Sequence, residues 1–341
     1  MSAKPADSIE ISIKGKWMTV PALRVDDNFL IVKGGWVKTA VVEAEEWLES
    51  EIADPESYIR QFKAQRRGGL KADIFTFAQK LPSAELRYKY LVNWESMAVA
   101  PITSFNEWWT KLPQETRKNV RRSQKRGVTV SVKELDDSLI DDLIGLNNDS
   151  PMRQGKKFYH YGKTREQVWK DQMSFPGRSG YICAYVDTEL IGVLKLVYRG
   201  DSASILTLLS KPSHADRRPA NALLAKAVEV CESKGISYLV YGKFNYGNKR
   251  DSSLKDFKIR HGFDEILLPR YYVPLTLWGR LCTGLGIHRG LIGVLPPRVI
   301  TLGNAVRAKF YKLLAGVAQL AERPNRNRQV ERSIPPAGSN S

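Results

Sequence analysis

The stretch that most restricts how this chain folds runs from residue 179 to residue 242. Three apolar, alternating segments, "GYICAYV", "ELIGVLKLVY" and "SASILTLLS", are separated only by Asp187-Thr188 and Arg199-Gly200-Asp201. Turns this short join antiparallel neighbours, so the spacing predicts a meander. "RPANALLAKAVEVCESKG" follows, with Pro219 at a first turn, Gly235 beyond a last one, and Leu223, Leu224, Ala227, Val228 and Cys231 on one face. A helix of that length carries the chain back across the sheet. "SYLVYG" is then a buried strand, parallel to its predecessor. "SLKDFKIRHGF" predicts a short helix stopped by Gly262, and "EILLPRYYVPL" closes the unit as a strand.

Upstream, Ser104 with Glu107 forms a capping-box pattern, and Pro113 opens a second helix that ends at Gly127 and passes into the strand "VTVSVKEL". "DDSLIDDLIGLNN" and "KTREQVWKDQM" predict two further helices. In the first hundred residues "KWMTVPALRV", "NFLIVKGGWVKTAVV" and "ADIFTFAQKL" are strand-like, and the helical stretch between them breaks at Asp54-Pro55. The expected fold class is mixed α/β (α+β): a mostly antiparallel sheet flanked by helices, with a smaller N-terminal α+β module. The expected division is 1–100, 101–275, an apolar and basic segment 276–315, and a disordered tail 316–341.

Charge is unevenly placed. The chain carries a net +17, yet residues 1–100 hold 14 Lys+Arg against 14 Asp+Glu, so the excess lies downstream. Residues 111–126 alone contain seven basic side chains and one acid. Such a field attracts polyanions without choosing among nucleic acid, phosphorylated cofactors and anionic lipid. Phosphate contacts carry little sequence information, so no DNA specificity is expected. No apolar run approaches the ~20 residues of a membrane span. The polar N-terminal residues and three scattered cysteines lead us to expect a reduced, cytoplasmic setting. Four scattered histidines show no metal-ligand spacing, so no metal is expected.

Phosphate-loop, zinc-protease and serine-hydrolase signatures are absent from the sequence. What remains is a strand running through "LTLLSKPSHADRRPANALL" into a helix, whose free N–H groups and dipole suit a phosphate, with Arg217 and Arg218 just before it. An ordinary basic loop is the alternative. His160, between Tyr159 and Tyr161, is a candidate general base, or else a packed loop histidine. Arg121 and Arg122 are candidates for phosphate or acceptor contacts, or else members of a solvated face. Segment 277–314 either packs on the core or lies at a membrane surface, with peripheral association at the inner membrane face as the corollary. The last 26 residues resemble what a transfer-RNA gene yields when it is translated.

The order meander, helix, strand, helix, strand resembles the GNAT acyltransferase fold. Arg217-Arg218-Pro219-Ala220-Asn221-Ala222 is similar in outline to that family's Arg/Gln-x-x-Gly-x-Gly/Ala turn, with alanine at the first small position. The resemblance implies that Arg217, Arg218, Ala220, Asn221 and Ala222 hold the donor. "RKNVRRSQKRGVTV" and "LKDFKIRHGF" further resemble the branch of FemABX-like peptidyltransferases and BioF2-like acetyltransferase domains. That branch implies catalytic roles for Phe257 and Lys258, with the Lys258 ammonium facing an oxyanion; Asn245 and Tyr161 are further candidates on the substrate side. On this reading Lys258→Ala lowers turnover by on the order of 10²–10³ and spares stability; a helix-end lysine in solvent is the alternative.

The resemblance implies an acyl-CoA donor, with aminoacyl-tRNA as the alternative. It also implies direct transfer to an amine, or else a hydroxyl, on a small-molecule or lipid-linked acceptor such as a cell-envelope or surface-polysaccharide precursor. A non-catalytic basic binding protein for nucleic acid or anionic lipid is the rival from another class.

Overall fold

One twelve-stranded sheet organises the described residues of this computed structural model, which are 7–289 apart from 14–15, 66–69, 83–84, 154 and 246–251. The chain opens with β1 (Asp7–Ile13), β2 (Lys16–Val25), β3 (Asn28–Lys33) and β4 (Thr39–Val42), an antiparallel run. The single expected strand over 28–42 is split in two at Gly34. Its φ is +95°, and a Cβ there would lie 2.3 Å from the Val37 carbonyl oxygen, so only glycine fits the turn. Helix α1 (Pro55–Gln65) crosses to β5 (Ile74–Ala78), which lies parallel to β4. Leu30, Phe62, Phe75 and Phe77 make the core of this half.

Next come β6 (Leu91–Pro101), α2 (Phe105–Lys111), α3 (Gln114–Lys125), β7 (Val128–Lys133) and α4 (Asp137–Asn147). The small ribbon β8 (Met152–Arg153) and β9 (Lys156–Lys157) leads to α5 (Arg165–Gln172). The meander is β10 (Ser179–Val186), β11 (Glu189–Arg199) and β12 (Ser202–Ser210). Then follow α6 (Pro219–Ser233), β13 (Tyr238–Lys243), α7 (Ser253–Arg260), β14 (Asp264–Pro274) and α8 (Leu277–Gly284).

Alternation along β10 explains its two covers. Ile182 and Ala184 face the core shared with α6 residues such as Leu223 and Val228. Tyr181 and Cys183 face the opposite layer, with Leu139, Ile140 and Leu143 of α4. Ser104 caps α2 through the Glu107 N–H, but the Glu107 carboxylate bonds Thr103 and Lys111, so the box closes on one side only. Pro113 stands at the N-cap of α3, one place before the predicted position.

Strand β6 was not foreseen, and it spans the expected boundary at residue 100. It pairs with β13 on one side and β14 on the other, and β14 also pairs with β5. Hydrogen bonding therefore continues from strand to strand across that boundary. Among the described residues no helix is long and apolar enough to cross a membrane. Beyond residue 289 the expected segment 277–314 and the tail lie outside the described residues.

Candidate functional site

Strands β12 and β13 are parallel but pair only through Ser202–Ser204 and Tyr238–Val240. Beyond Val240 they diverge, and two irregularities mark the opening. On β12 the register against β11 shifts so that Leu206 is the extra residue between Ile205 and Thr207. On β13 the register against β6 shifts between Val240 and Lys243, where Gly242 has φ +57°. Bulges of this kind leave a backbone group outside the ladder and re-aim the strand.

The N-terminus of α6 comes back beside the end of β12, because one helical turn, Pro212–Arg217, joins the two and Ser210 pairs with Gly192. Gly192 of β11 allows the close approach. A Cβ there would stand 3.0 Å from Leu223 and 3.3 Å from Pro219. Within the turn, Arg218 takes the left-handed conformation (φ +56°) as N-cap and is exposed. Arg217 instead donates to the Arg126 backbone carbonyl, while Arg126 pairs with Asp216 at 2.9 Å. Pro219 has no N–H, and the Asn221 N–H bonds Arg218 O at 3.1 Å. Fewer backbone donors face outward than the motif suggests, with that of Ala220 as the remaining candidate. Ala222 is buried against the sheet.

On the opening lies a cavity of about 500 Å³, lined by Ile205, Leu206 and Gly242 and by charged groups from both halves of the chain. Arg270 on β14 anchors it, pairing with Glu45 and with Glu95 at 2.9 Å each, while Lys243 reaches Glu95 at 3.0 Å. Burial opposes ionisation of Glu95, but Arg270 and Lys243 override it and hold its carboxyl below the usual range. Burial also disfavours the Arg270 charge, and the two carboxylates more than restore it. Lys80 Nζ donates to Leu48 O (2.6 Å) and Ser50 O (3.0 Å), and Arg199 donates to Glu46 O (2.7 Å). Burial, with Arg199 nearby, lowers Lys80 to about 7. None of these groups was singled out from the sequence, because they come from separate strands and loops. Charged residues embedded in apolar strands, Glu95 in "LVNWESMAVAP" and Arg270 in "EILLPRYYVPL", were the available signal.

Helix α7 is turned inside out. Leu254 is 38% exposed and Ile259 50%, while Lys258 is 0% exposed and His261, its C-cap, 3%. A Schellman closure fixes this orientation: Phe263 N–H bonds Lys258 O at 3.1 Å, Gly262 N–H bonds Ile259 O at 3.0 Å, and Gly262 has φ +77°. The Lys258 ammonium donates to Lys243 O at 2.6 Å and stands over the Tyr241 ring at 4.7 Å. Burial lowers it to about 8. Lys258 thus grips the bulged end of β13.

Phe257 packs on the core, its ring 4.1 Å from that of His261. Burial lowers His261 to about 4, so the ring is neutral near pH 7. Nδ1 donates to Phe257 O at 2.7 Å, which makes Nε2 an acceptor. The Asn221 side-chain amide lies 3.1 Å from Nε2, so it is committed to α7.

The other candidates do not line this cavity. His160 stands 3.5 Å from Asp171, which also bonds Lys163 at 2.6 Å, and Tyr161 is exposed beside it. Asn245 donates to Glu265 at 2.8 Å and to Ser96 at 3.3 Å. Arg121 lies over Trp109 and lines a separate cavity of about 370 Å³ between α2, α3, β7 and α6. Arg122 bonds Asn119. No group of three or more His, Cys, Asp or Glu among the described residues could hold a metal ion.

Residues 114–252 match the family model described as an acetyltransferase (GNAT) domain. No curated protein matches the chain. Among solved structures, a domain described as the C-terminal domain of a lysylphosphatidylglycerol synthetase from Agrobacterium fabrum is 15% identical. It aligns over 79% of this chain and 88% of its own, with a TM-score of 0.52. L-PGS from Bacillus licheniformis is 13% identical over 80% of this chain and 89% of its own, with a TM-score of 0.50. These likenesses concern the fold. Residues 114–252 thus carry the pattern of an acetyltransferase (GNAT) domain, and the fold around them is shared with those structures.

Proposed function

We propose that the chain transfers an acyl group from acyl-CoA to an amine, with the thioester laid into the β12/β13 opening and the acceptor presented from the 500 Å³ cavity. The observation that carries this reading is the three-residue pairing of β12 with β13. It opens the sheet between the strand that leads toward the α6 N-terminus and a charged cavity. The amine nitrogen attacks the thioester carbonyl carbon, the C–N bond forms, and the carbonyl oxygen becomes an oxyanion. The Leu206 N–H, left out of the ladder by the bulge, is suited to receive that oxygen. Collapse breaks the C–S bond, expels the CoA thiolate and releases the amine proton. Lys258 is a positioning residue here, acting through Lys243 and the end of β13. A covalent acyl-cysteine is disfavoured: Cys183 and Cys231 are buried, which pushes both thiols up to about 12.

The FemABX-like resemblance supports a second donor, aminoacyl-tRNA. One observation favours it: Lys118, Arg121, Arg122 and Lys125 are exposed along α3, and Arg126 ties the end of that helix to the donor turn at Asp216. Calorimetry with acetyl-CoA, together with thiol release in the presence of mixed amines, tests the first reading. Binding of aminoacyl-tRNA without acetyl-CoA binding would favour the second. Salt-sensitive polyanion binding with neither donor would leave only the non-catalytic rival.

A further inference from the structure

Resting on the acyl-transfer reading, a finer inference concerns what the cavity accepts. Most of its charge is internally balanced: Arg270 and Lys243 are matched by Glu45 and Glu95. Lys33 pairs outside the lining, with Glu43 at 3.8 Å. Two cations are left, Lys80 and Arg199, facing one carboxylate, the exposed Glu46. Neither cation forms an ion pair among the described residues. Lys80 spends two of its three N–H groups on Leu48 O and Ser50 O, and Arg199 gives one N–H to Glu46 O. The Arg199 Nε and Nη2 atoms have no hydrogen-bond partner among the described residues, and a guanidinium edge matches the two oxygens of an oxyanion.

Two cationic side chains lining one cavity, with a surplus of one positive charge once Lys80 is protonated, fit a monoanionic group. We propose that Lys80 and Arg199 form a subsite for a single negative charge on the acceptor, a carboxylate or a phosphodiester, so that the substrate is an amine carrying a monoanion. Two further properties of the cavity agree with this. Its volume is that of a small-molecule site. Lys80 already lies near 7, with Arg199, Glu45 and Arg178 as the charged groups acting on it, so an arriving anion draws a proton onto it.

The test uses the full chain and three amines: β-alanine for a carboxylate, glycerophosphoethanolamine for a phosphodiester, and ethanolamine for no anion. Calorimetry should show one or both anionic amines binding about 10- to 100-fold more tightly than ethanolamine, the span of one or two charge-assisted hydrogen bonds. Whichever binds better names the anion. Lys80→Gln and Arg199→Gln each keep a donor for the backbone carbonyls, so folding is retained and checked by thermal midpoint. Each variant should lose most of that preference while acetyl-CoA affinity stays within about twofold of wild type. Binding at pH 8 should take up a proton in wild type and not in Lys80→Gln. Equal affinity for all three amines, or an unchanged preference in the double variant, overturns the subsite. Absence of acetyl-CoA binding in wild type with the anion preference intact refutes the acyl-CoA donor and leaves the subsite standing.

Discussion

A lysine and a histidine on the inward face of a helix whose Leu254 and Ile259 point outward set α7 against ordinary patterning, and such conflicts mark sites held for function. The buried Lys258 ammonium is stabilised by the Lys243 carbonyl and the Tyr241 ring. Its removal therefore cannot spare stability, as the sequence alone led one to expect. Lys258→Ala opens a void and strips Lys243 O of its donor, at a cost of ~2–4 kcal/mol. Lys258→Met keeps the stem and should lose about half of that. Urea midpoints of the two variants, read beside their turnover, separate the packing role from the positioning role. Three positions on, His261 makes folding acid-sensitive. Its folded value of about 4 lies below the ordinary 6.5. Between those limits the unfolded chain binds more protons, so stability is full above pH 6.5 and falls as pH drops toward 4, by up to ~3 kcal/mol. His261→Gln should flatten the change in urea midpoint between pH 7.5 and 5. A slope unchanged by the substitution would assign the acid loss to other groups.

At the scale of elements, α6 is useful only if its first turn sits against β11, and Gly192 makes that contact possible. Gly192→Val should push Pro219 and Leu223 away, costing ~1–3 kcal/mol and weakening acetyl-CoA binding about tenfold or more. Arg218→Gly is the complementary test, since glycine takes the left-handed N-cap conformation without strain and only the charge is lost. A drop of about tenfold in donor affinity is expected if the guanidinium meets phosphate, and calorimetry reads it directly. The meander, α6, β13, α7 and β14 were all legible in the sequence because alternation, Gly stops and short turns are local signals. The pairing of β12 with β13 over only three residues was not, because a splay is a relation between strands. The Glu45–Arg270–Glu95 chain escaped for the same reason, its members lying 50 to 225 residues apart. Asn221 was legible as part of a donor turn, but its bond to His261, 40 residues away, was not.

For the whole molecule, the question is whether the matched domain stands alone. Strand β14 answers it. Its residues Arg270–Pro274 pair with Ile74–Ala78 of β5, and Tyr271 and Leu275 are buried in the first-half core with Phe75 and Phe77. Removing residues 1–90 exposes those two side chains, at ~1.5–3 kcal/mol each. It also leaves β14 as an unpaired edge open to aggregation. The sum of ~3–6 kcal/mol is a large part of the ~5–15 kcal/mol that holds a domain folded. Arg270 loses Glu45 as well, and the cavity loses Lys80 and most of one wall. A fragment of residues 91–289 should therefore aggregate or melt without a sharp transition. Co-expression with residues 1–90 should restore solubility, a cooperative melt and acetyl-CoA binding. If the fragment alone melts sharply and binds acetyl-CoA as the full chain does, the first half is dispensable, and the assignment of the acceptor cavity to both halves is wrong.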